Sequence, residues 1–321
     1  MRAVIGTDQK RALELLCAGE PVAIPTETVY GLAANAFDAE AVLRIFQAKE
    51  RPSFDPLIVH VRDRAQVDEV AMVPPEAEEL MRRFWPGPLT LVLPKKPSVP
   101  DIVTSGLDTV GVRMPAHPRA LELLRSLDFP LAAPSANPFG FVSPTTAQHV
   151  ADQLGEKIPY ILDGGPCSVG VESTIIGWEP QLTPHTSNWV LYRAGGIPVE
   201  AVEAMIGQLG TAQSRVLPAA PGMIESHYAP RKPLFVGDVT SLLKEHTGKR
   251  CAVIAFSSRY DAWRCETLSP SSDLIEAARN LFAAIRSCDA GDADVMLAEI
   301  FPNEGLGRAI NDRLRRAAAK R

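Results

Sequence analysis

Prolines punctuate this chain: 28 of its 321 residues are proline, and they close short apolar runs such as PVAIP (21–25) and LTLVLP (89–94). Each proline holds φ near about −65° and removes a backbone donor, so it ends helices and is tolerated in sheets only at edges and strand ends. Spread along the chain, they predict an irregular α/β fold with many rigid turns and argue against a helical bundle. At 321 residues the chain exceeds what one hydrophobic core usually serves, which predicts two domains.

Hydrophobic periodicity supplies the elements. Thr7 is placed to cap a helix from about Asp8 to Ala18, with Leu13, Leu16 and Cys17 on one face and Gly19 as the stop. Asp38 caps a second helix whose expected apolar face is Val42, Leu43 and Phe46. Strands are expected at 21–25, 57–61, 89–94 and 109–115, then in the PLAAP, YIL, STIIGW and VLYR segments. Helices are expected at His117 to Leu127 and in TTAQHVADQLG. Without a strict βαβ cadence, these elements predict a twisted mixed sheet with helices packed around it, spanning 1–209. At 210–232 neither period is sustained, which marks a linker or lid. Beyond it, PLFVGD, CAVIAF and two helical stretches predict a small C-terminal α/β domain with a parallel sheet at 233–321.

Charge and cysteines narrow the function. A formal net charge of −5 and pI of about 5.8 argue against a protein whose main task is gripping nucleic acid, so tRNA is expected to bind weakly at most. The five cysteines are scattered without a C-x-x-C pair, so neither a zinc site nor a disulfide framework is expected. The charged amphipathic N-terminus and the absence of an apolar run of about 20 residues predict a soluble cytoplasmic protein with no membrane role.

Chemistry is expected where polar chain follows strand ends. PTETVYGLAANAF (25–37) offers Thr26, Glu27, Thr28 and Tyr30 to a small polar ligand, or a turn whose threonines cap local backbone. In AKERPSFDPLIVHV (48–61), Lys49 and Arg51 suit phosphates, although cations at a helix C-terminus also answer the helix dipole. His60 alternates away from Leu57, Val59 and Val61 and shares a face with Ile58; a lone strand histidine is more often structural. In TVGVRMP, Thr109, Gly111 and Arg113 share a strand face, and Arg113 there needs an anionic ligand or a structural carboxylate. Two polar loops, 133–146 and 163–175, complete the set, the second dense in glycine. G-x-x-x-x-G-K-[ST], G-x-G-x-x-G and G-x-S-x-G are all absent, which disfavours a P-loop kinase, a Rossmann dehydrogenase and a triad hydrolase.

In order along the chain, PTETVYGL, K-x-R-P-x-x-x-P-L-I-x-H (Lys49 to His60), TVGVRMP, APSAN, SPTTAQHV, DGG…VESTI, LYRAGGI, APGM…HYAP and GLGRAINDRLRRAA resemble the threonylcarbamoyl-AMP synthase family in its long form, with a YrdC-like catalytic domain. The resemblance implies a nucleotidyltransferase that makes threonylcarbamoyl-AMP from L-threonine, bicarbonate and ATP with Mg²⁺, for a downstream tRNA threonylcarbamoyl transferase. It implies that Arg51, Asp55, Thr109, Ser135, Ser143, Arg193 and the linker residue His227 contact ATP, with Lys49 and Arg51 neutralising the phosphates. It also implies that Thr28, His60, Arg113, Ala133 and Ser173 line the threonine pocket, and no side-chain metal ligand is expected. Asp55 departs from the asparagine common in the family, and a carboxylate near a polyphosphate needs to be protonated, paired or bridged by Mg²⁺. The rival readings are a carbamoyl-adenylate-type carbamoyltransferase and a non-catalytic RNA-binding module.

Overall fold

The computed structural model describes residues 2–179, 188–211 and 228–319. His227 and residues 212–227 of the expected linker or lid lie outside the described residues.

Among the described residues eleven strands form the large sheet: β1 (Val4–Gly6), β2 (Val22–Ile24), β3 (Gly31–Asn35), β4 (Ile58–His60), β5 (Leu89–Pro94), β6 (Thr109–Arg113), β7 (Leu131–Ala132), β8 (Tyr160–Leu162), β9 (Thr174–Trp178), β10 (Trp189–Arg193) and β11 (Gly210–Thr211). Their lateral order is β1-β8-β2-β3-β7-β4-β6-β5-β9-β10-β11. Parallel pairs such as β4/β6 and β5/β9 alternate with antiparallel ones such as β2/β3 and β5/β6, so the sheet is mixed, as the absence of a βαβ cadence predicts. β2 and nearly all of β5 are buried at every position, the signature of a sheet covered on both faces. On one side Leu32, Val59, Leu91 and Val112 pack with Val42, Ile45 and Leu80. Elsewhere Val22, Ile24 and Tyr160 pack with Ala12, Leu16 and Leu124.

Two local expectations need correction. Asp8, rather than Thr7, caps the first helix (Gln9–Cys17), its carboxylate accepting from the backbone N–H of Arg11, and Cys17 is exposed. In the second helix (Ala39–Lys49) the buried face is Val42, Ile45 and Phe46, while Leu43 turns outward. At about 100° per residue, Ile45 and Phe46 fall within about 60° of Val42 on either side, whereas Leu43 lies about 100° away, beyond the edge of that stripe.

The second sheet holds β12 (Leu234–Val236), β13 (Cys251–Ala255), β14 (Arg264–Thr267) and β15 (Val295–Ala298). Its order is β12-β15-β13-β14, with every pair parallel. The helix Leu274–Ala290 buries Ala277, Leu281, Ile285 and Cys288, spaced as one helical stripe. Val29, Val142 and Val171 of the large sheet's loops belong to the same apolar cluster, so the small unit packs beside the strand ends that carry the polar loops. Gly170 makes that contact possible: with φ at +80°, it lies so close to the helix that an added Cβ would fall 2.4 Å from the Cα of Arg279.

Candidate active site

The parallel register of β4 and β6 places Ile58 beside Gly111 and His60 beside Arg113 on one face of the sheet. Arg113 is buried and held at three points. Its Nε donates to the Gly87 carbonyl at 3.2 Å, Nη1 to Thr28 Oγ1 at 3.0 Å and Nη2 to Glu27 Oε1 at 2.5 Å. A guanidinium carries five N–H donors, so one remains on each terminal nitrogen, a fork matched to a carboxylate.

Thr28 has a defined polarity. Thr26 Oγ1 donates to the Val29 carbonyl at 2.6 Å, which commits its only proton. The 2.8 Å contact between the two threonine hydroxyls is therefore donated by Thr28, which also accepts from Arg113. Only an acceptor lone pair is left on Thr28, so it can receive a donor such as an ammonium. Burial, and then the neighbouring Arg113, push the His60 imidazolium down to about 3, so this histidine is neutral at ordinary pH. Ala133 and Ser173 complete this end of the cleft. Ser173 Oγ shares a 2.8 Å hydrogen bond with Thr90 and accepts from Arg193 Nη2 at 3.2 Å.

The other end is cationic. Arg51 donates through Nε and Nη2 to the carbonyls of Asp55 and Pro56 and pairs with the Asp55 carboxylate at 2.8 Å. Its Nη1 donors have no partner among the described residues, and they belong to a side chain that lines the cleft with Ser135 and Arg193. Asp55 is fully buried; burial pushes its carboxyl up while Arg51, Lys49 and Arg193 pull it back. On balance the carboxyl is raised, and although Arg51 Nη2 lies 2.8 Å from Oδ2, neither carboxylate oxygen accepts a hydrogen bond among the described residues, so ion pairing and protonation both answer its burial. Lys49, also buried, does not line the cleft: its Nζ donates to the carbonyls of Ser135 and Asn137, bracing the loop after β7. Burial, followed by the adjacent Arg51, lowers its ammonium pKa well below the usual lysine range.

Of the residues expected from sequence, the cleft gathers Thr28, Arg51, His60, Arg113, Ala133, Ser135, Ser173 and Arg193. Lys49, Asp55, Thr109 and Ser143 stand outside its lining. Ser143 instead donates to Glu172 Oε1 at 2.5 Å. Tyr30 turns its hydroxyl away, to the Gly165 carbonyl at 2.8 Å. Glu172 lines the cleft and was not foreseen as a site residue, although it lies within VESTI; Tyr228, from the segment expected as linker or lid, lines it too. Burial is the largest influence on Glu172 and raises it, but Arg313, Arg193 and Ser143 outweigh this and hold its carboxyl down at about 2. Among the described residues no three His, Cys, Asp or Glu side chains gather as a metal site, and no helix is long and apolar enough to cross a membrane.

Fold and cleft together define a two-sheet α/β protein with a polar cleft lined by three arginines, Arg51, Arg113 and Arg193. A family model described as "Telomere recombination" matches residues 14–195, and one described as "Threonylcarbamoyl-AMP synthase, C-terminal domain" matches 197–319. The chain is 46% identical to the threonylcarbamoyl-AMP synthase of Pyrococcus abyssi over 94% of this chain and 92% of that protein. It is 43% identical to that of Bacillus subtilis, over 97% and 93% respectively. The structure superposes on P. abyssi Sua5 complexed with L-threonine with a TM-score of 0.90 at 44% identity, covering 99% of this chain and 97% of that one. The chain belongs to the threonylcarbamoyl-AMP synthase family, enzymes of nucleotidyltransferase type.

Proposed function

We propose that this protein joins L-threonine, bicarbonate and ATP into threonylcarbamoyl-AMP and releases pyrophosphate, supplying a tRNA threonylcarbamoyl transferase. The observation that carries this reading is the Arg113 fork beside the acceptor-only hydroxyl of Thr28. One takes an α-carboxylate and the other an α-ammonium, within the same cleft as the Arg51 Nη1 donors, which have no partner among the described residues.

The chemistry then needs positioning and charge neutralisation more than a covalent nucleophile. The bound ammonium first gives up a proton, and the neutral amine then captures bicarbonate-derived CO₂ as a carbamate with loss of a second; one proton combines with the hydroxide left by bicarbonate and the other leaves to solvent. A carbamate oxygen attacks the α-phosphorus of ATP, a new O–P bond forms, and the bond to pyrophosphate breaks. Arg51 and Arg193 neutralise the phosphates, with Ser135 as a further contact, while His60, Ala133 and Ser173 wall the threonine. Ala133 offers the threonine methyl a small apolar contact, worth only about 1 kcal/mol against serine. Lys49, Asp55 and Ser143 act one layer behind, fixing the 135–137 backbone, Arg51 and Glu172. Mg²⁺ would enter as part of the nucleotide substrate, held by its phosphate oxygens and water. Residues 1–209 are the proposed catalytic unit, 210–232 its linker, and 233–321 the unit that packs beside the cleft.

Pyrophosphate release with each component omitted in turn tests this. Turnover is expected only with ATP, Mg²⁺, bicarbonate and L-threonine together. Equal turnover without bicarbonate overturns the carbamate route and leaves simple amino-acid adenylation.

A further inference from the structure

We infer that Glu27 is a positioning residue for the amino-acid substrate, acting through Arg113; this rests on the reading that Arg113 holds the substrate carboxylate. Glu27 is buried and does not line the cleft, so it is not placed to touch substrate itself. Both of its carboxylate oxygens are engaged by donors of different origin. Oε1 accepts from Arg113 Nη2 at 2.5 Å, and Oε2 accepts from the backbone N–H of Ala116 at 3.0 Å. Its backbone carbonyl accepts from Val169 N at 2.7 Å, so the residue is fixed from the opposite side as well.

The geometry selects a carboxylate. A glutamine side chain of the same shape has one acceptor and one NH₂ group, whereas this position faces two donors. In either orientation the amide would set N–H against N–H, at Arg113 or at Ala116. In the first orientation the guanidinium loses one of the three acceptors that aim it; in the second the carboxamide is repelled from Ala116, and the acceptor it offers Arg113 shifts with it. With Thr28 and Gly87 alone as guides, the planar guanidinium is freer to swing as a whole about its side-chain torsions, which re-aims its remaining N–H groups. Loss of the negative charge by itself works in the opposite direction, because it leaves Arg113 with more attraction for an anion. The sign of the effect on threonine binding therefore separates orientation from charge.

The test is steady-state pyrophosphate release by the full chain, with Glu27→Gln, Arg113→Lys and the double variant compared against the parent. For Glu27→Gln, the threonine KM is expected to rise by about tenfold or more, with the ATP KM within about twofold, since only one substrate's orienting contact is lost. In the Arg113→Lys background the same change is expected to add little, because a lysine has no fork to aim and the two effects are not independent. A residue that merely braced the turn at Ala116 would lower the melting temperature, affect both substrates alike and remain additive with Arg113→Lys. An unchanged or lowered threonine KM in folded Glu27→Gln overturns the inference; a lowered one means that Glu27 competes with substrate for Arg113. An unchanged threonine KM in Arg113→Lys overturns instead the underlying assignment of the carboxylate site. If Glu27→Gln does not accumulate as folded protein, Glu27→Asp replaces it. That change keeps the charge and withdraws it by one methylene, and an unchanged threonine KM there is equally fatal.

Discussion

Arg313, in the last helix (Gly307–Ala318), donates from Nε to Glu172 Oε2 at 2.8 Å and so ties the small unit to the loop that enters β9. The pair is buried on both sides, and Ser143 occupies the other carboxylate oxygen. Arg313 also donates to the Ala194 carbonyl at 3.0 Å, and its guanidinium lies over the Tyr228 ring at 5.3 Å. One side chain from the small unit thus holds Glu172 and Tyr228, both of which line the cleft.

Arg313→Met is expected to destabilise the protein by about 3–5 kcal/mol, because it leaves the Glu172 carboxylate buried without its principal cation. Urea unfolding of the parent and variant measures this. A difference below about 1 kcal/mol would show that Arg193 and Ser143 suffice to hold Glu172.

The same pair predicts a pH dependence. Although burial raises the Glu172 carboxyl, Arg313, Arg193 and Ser143 prevail and bring it from 4.5 to about 2. A carboxyl with a lowered folded pKa contributes stability above its unfolded value, and that contribution disappears as pH falls through the folded one. The stability gap between the parent and Glu172→Gln is therefore expected to be constant above about pH 5 and to shrink between about pH 4.5 and 2. A gap that does not change across that range would mean that Glu172 is not the ionised partner.

Arg113→Ala is expected to weaken threonine binding by about 2–5 kcal/mol, the cost of removing one partner from a desolvated charge pair. ATP binding should change far less. Calorimetry with each ligand on the folded variant checks both, and unchanged threonine affinity would remove Arg113 from the pocket.

How much of this was legible in the sequence depends on the range of the interaction. Period-two alternation correctly put His60 with Ile58 and Gly111 with Arg113, because strand facing is a local property. The register that makes His60 and Arg113 neighbours is not local. β3 was read only as polar chain after a strand end, since GLAAN lacks the β-branched and aromatic residues that signal a strand. The four-residue VMLA of β15 was too short to stand out. At Lys49 the sequence showed a cation where a helix ends, but the direction of its side chain is decided by the carbonyls of Ser135 and Asn137, far along the chain. The Glu172–Arg313 contact joins residues 141 positions apart, and no single-sequence pattern links them.

Lys49 gives the last prediction, because its placement separates two ways of serving the nucleotide. A lysine that neutralised phosphates directly would keep its ammonium in the cleft. Here Nζ is buried against the Ser135 and Asn137 carbonyls, and the Lys49 carbonyl accepts from Phe139 N at 2.8 Å. The side chain and backbone of one residue therefore brace the loop from Ser135 to Phe139. Phe139 in turn lies 5.9 Å from the Arg51 guanidinium. Lys49→Met keeps much of the volume but leaves two carbonyls without their donor, at about 1–3 kcal/mol for each one that stays buried. Expected outcomes are a lowered unfolding midpoint and a loss of nucleotide affinity through Ser135 and Arg51, with threonine affinity less affected. Chemical denaturation and calorimetry on the same preparation check this together. Lost nucleotide affinity at an unchanged midpoint would instead mean that Lys49 meets the phosphates directly.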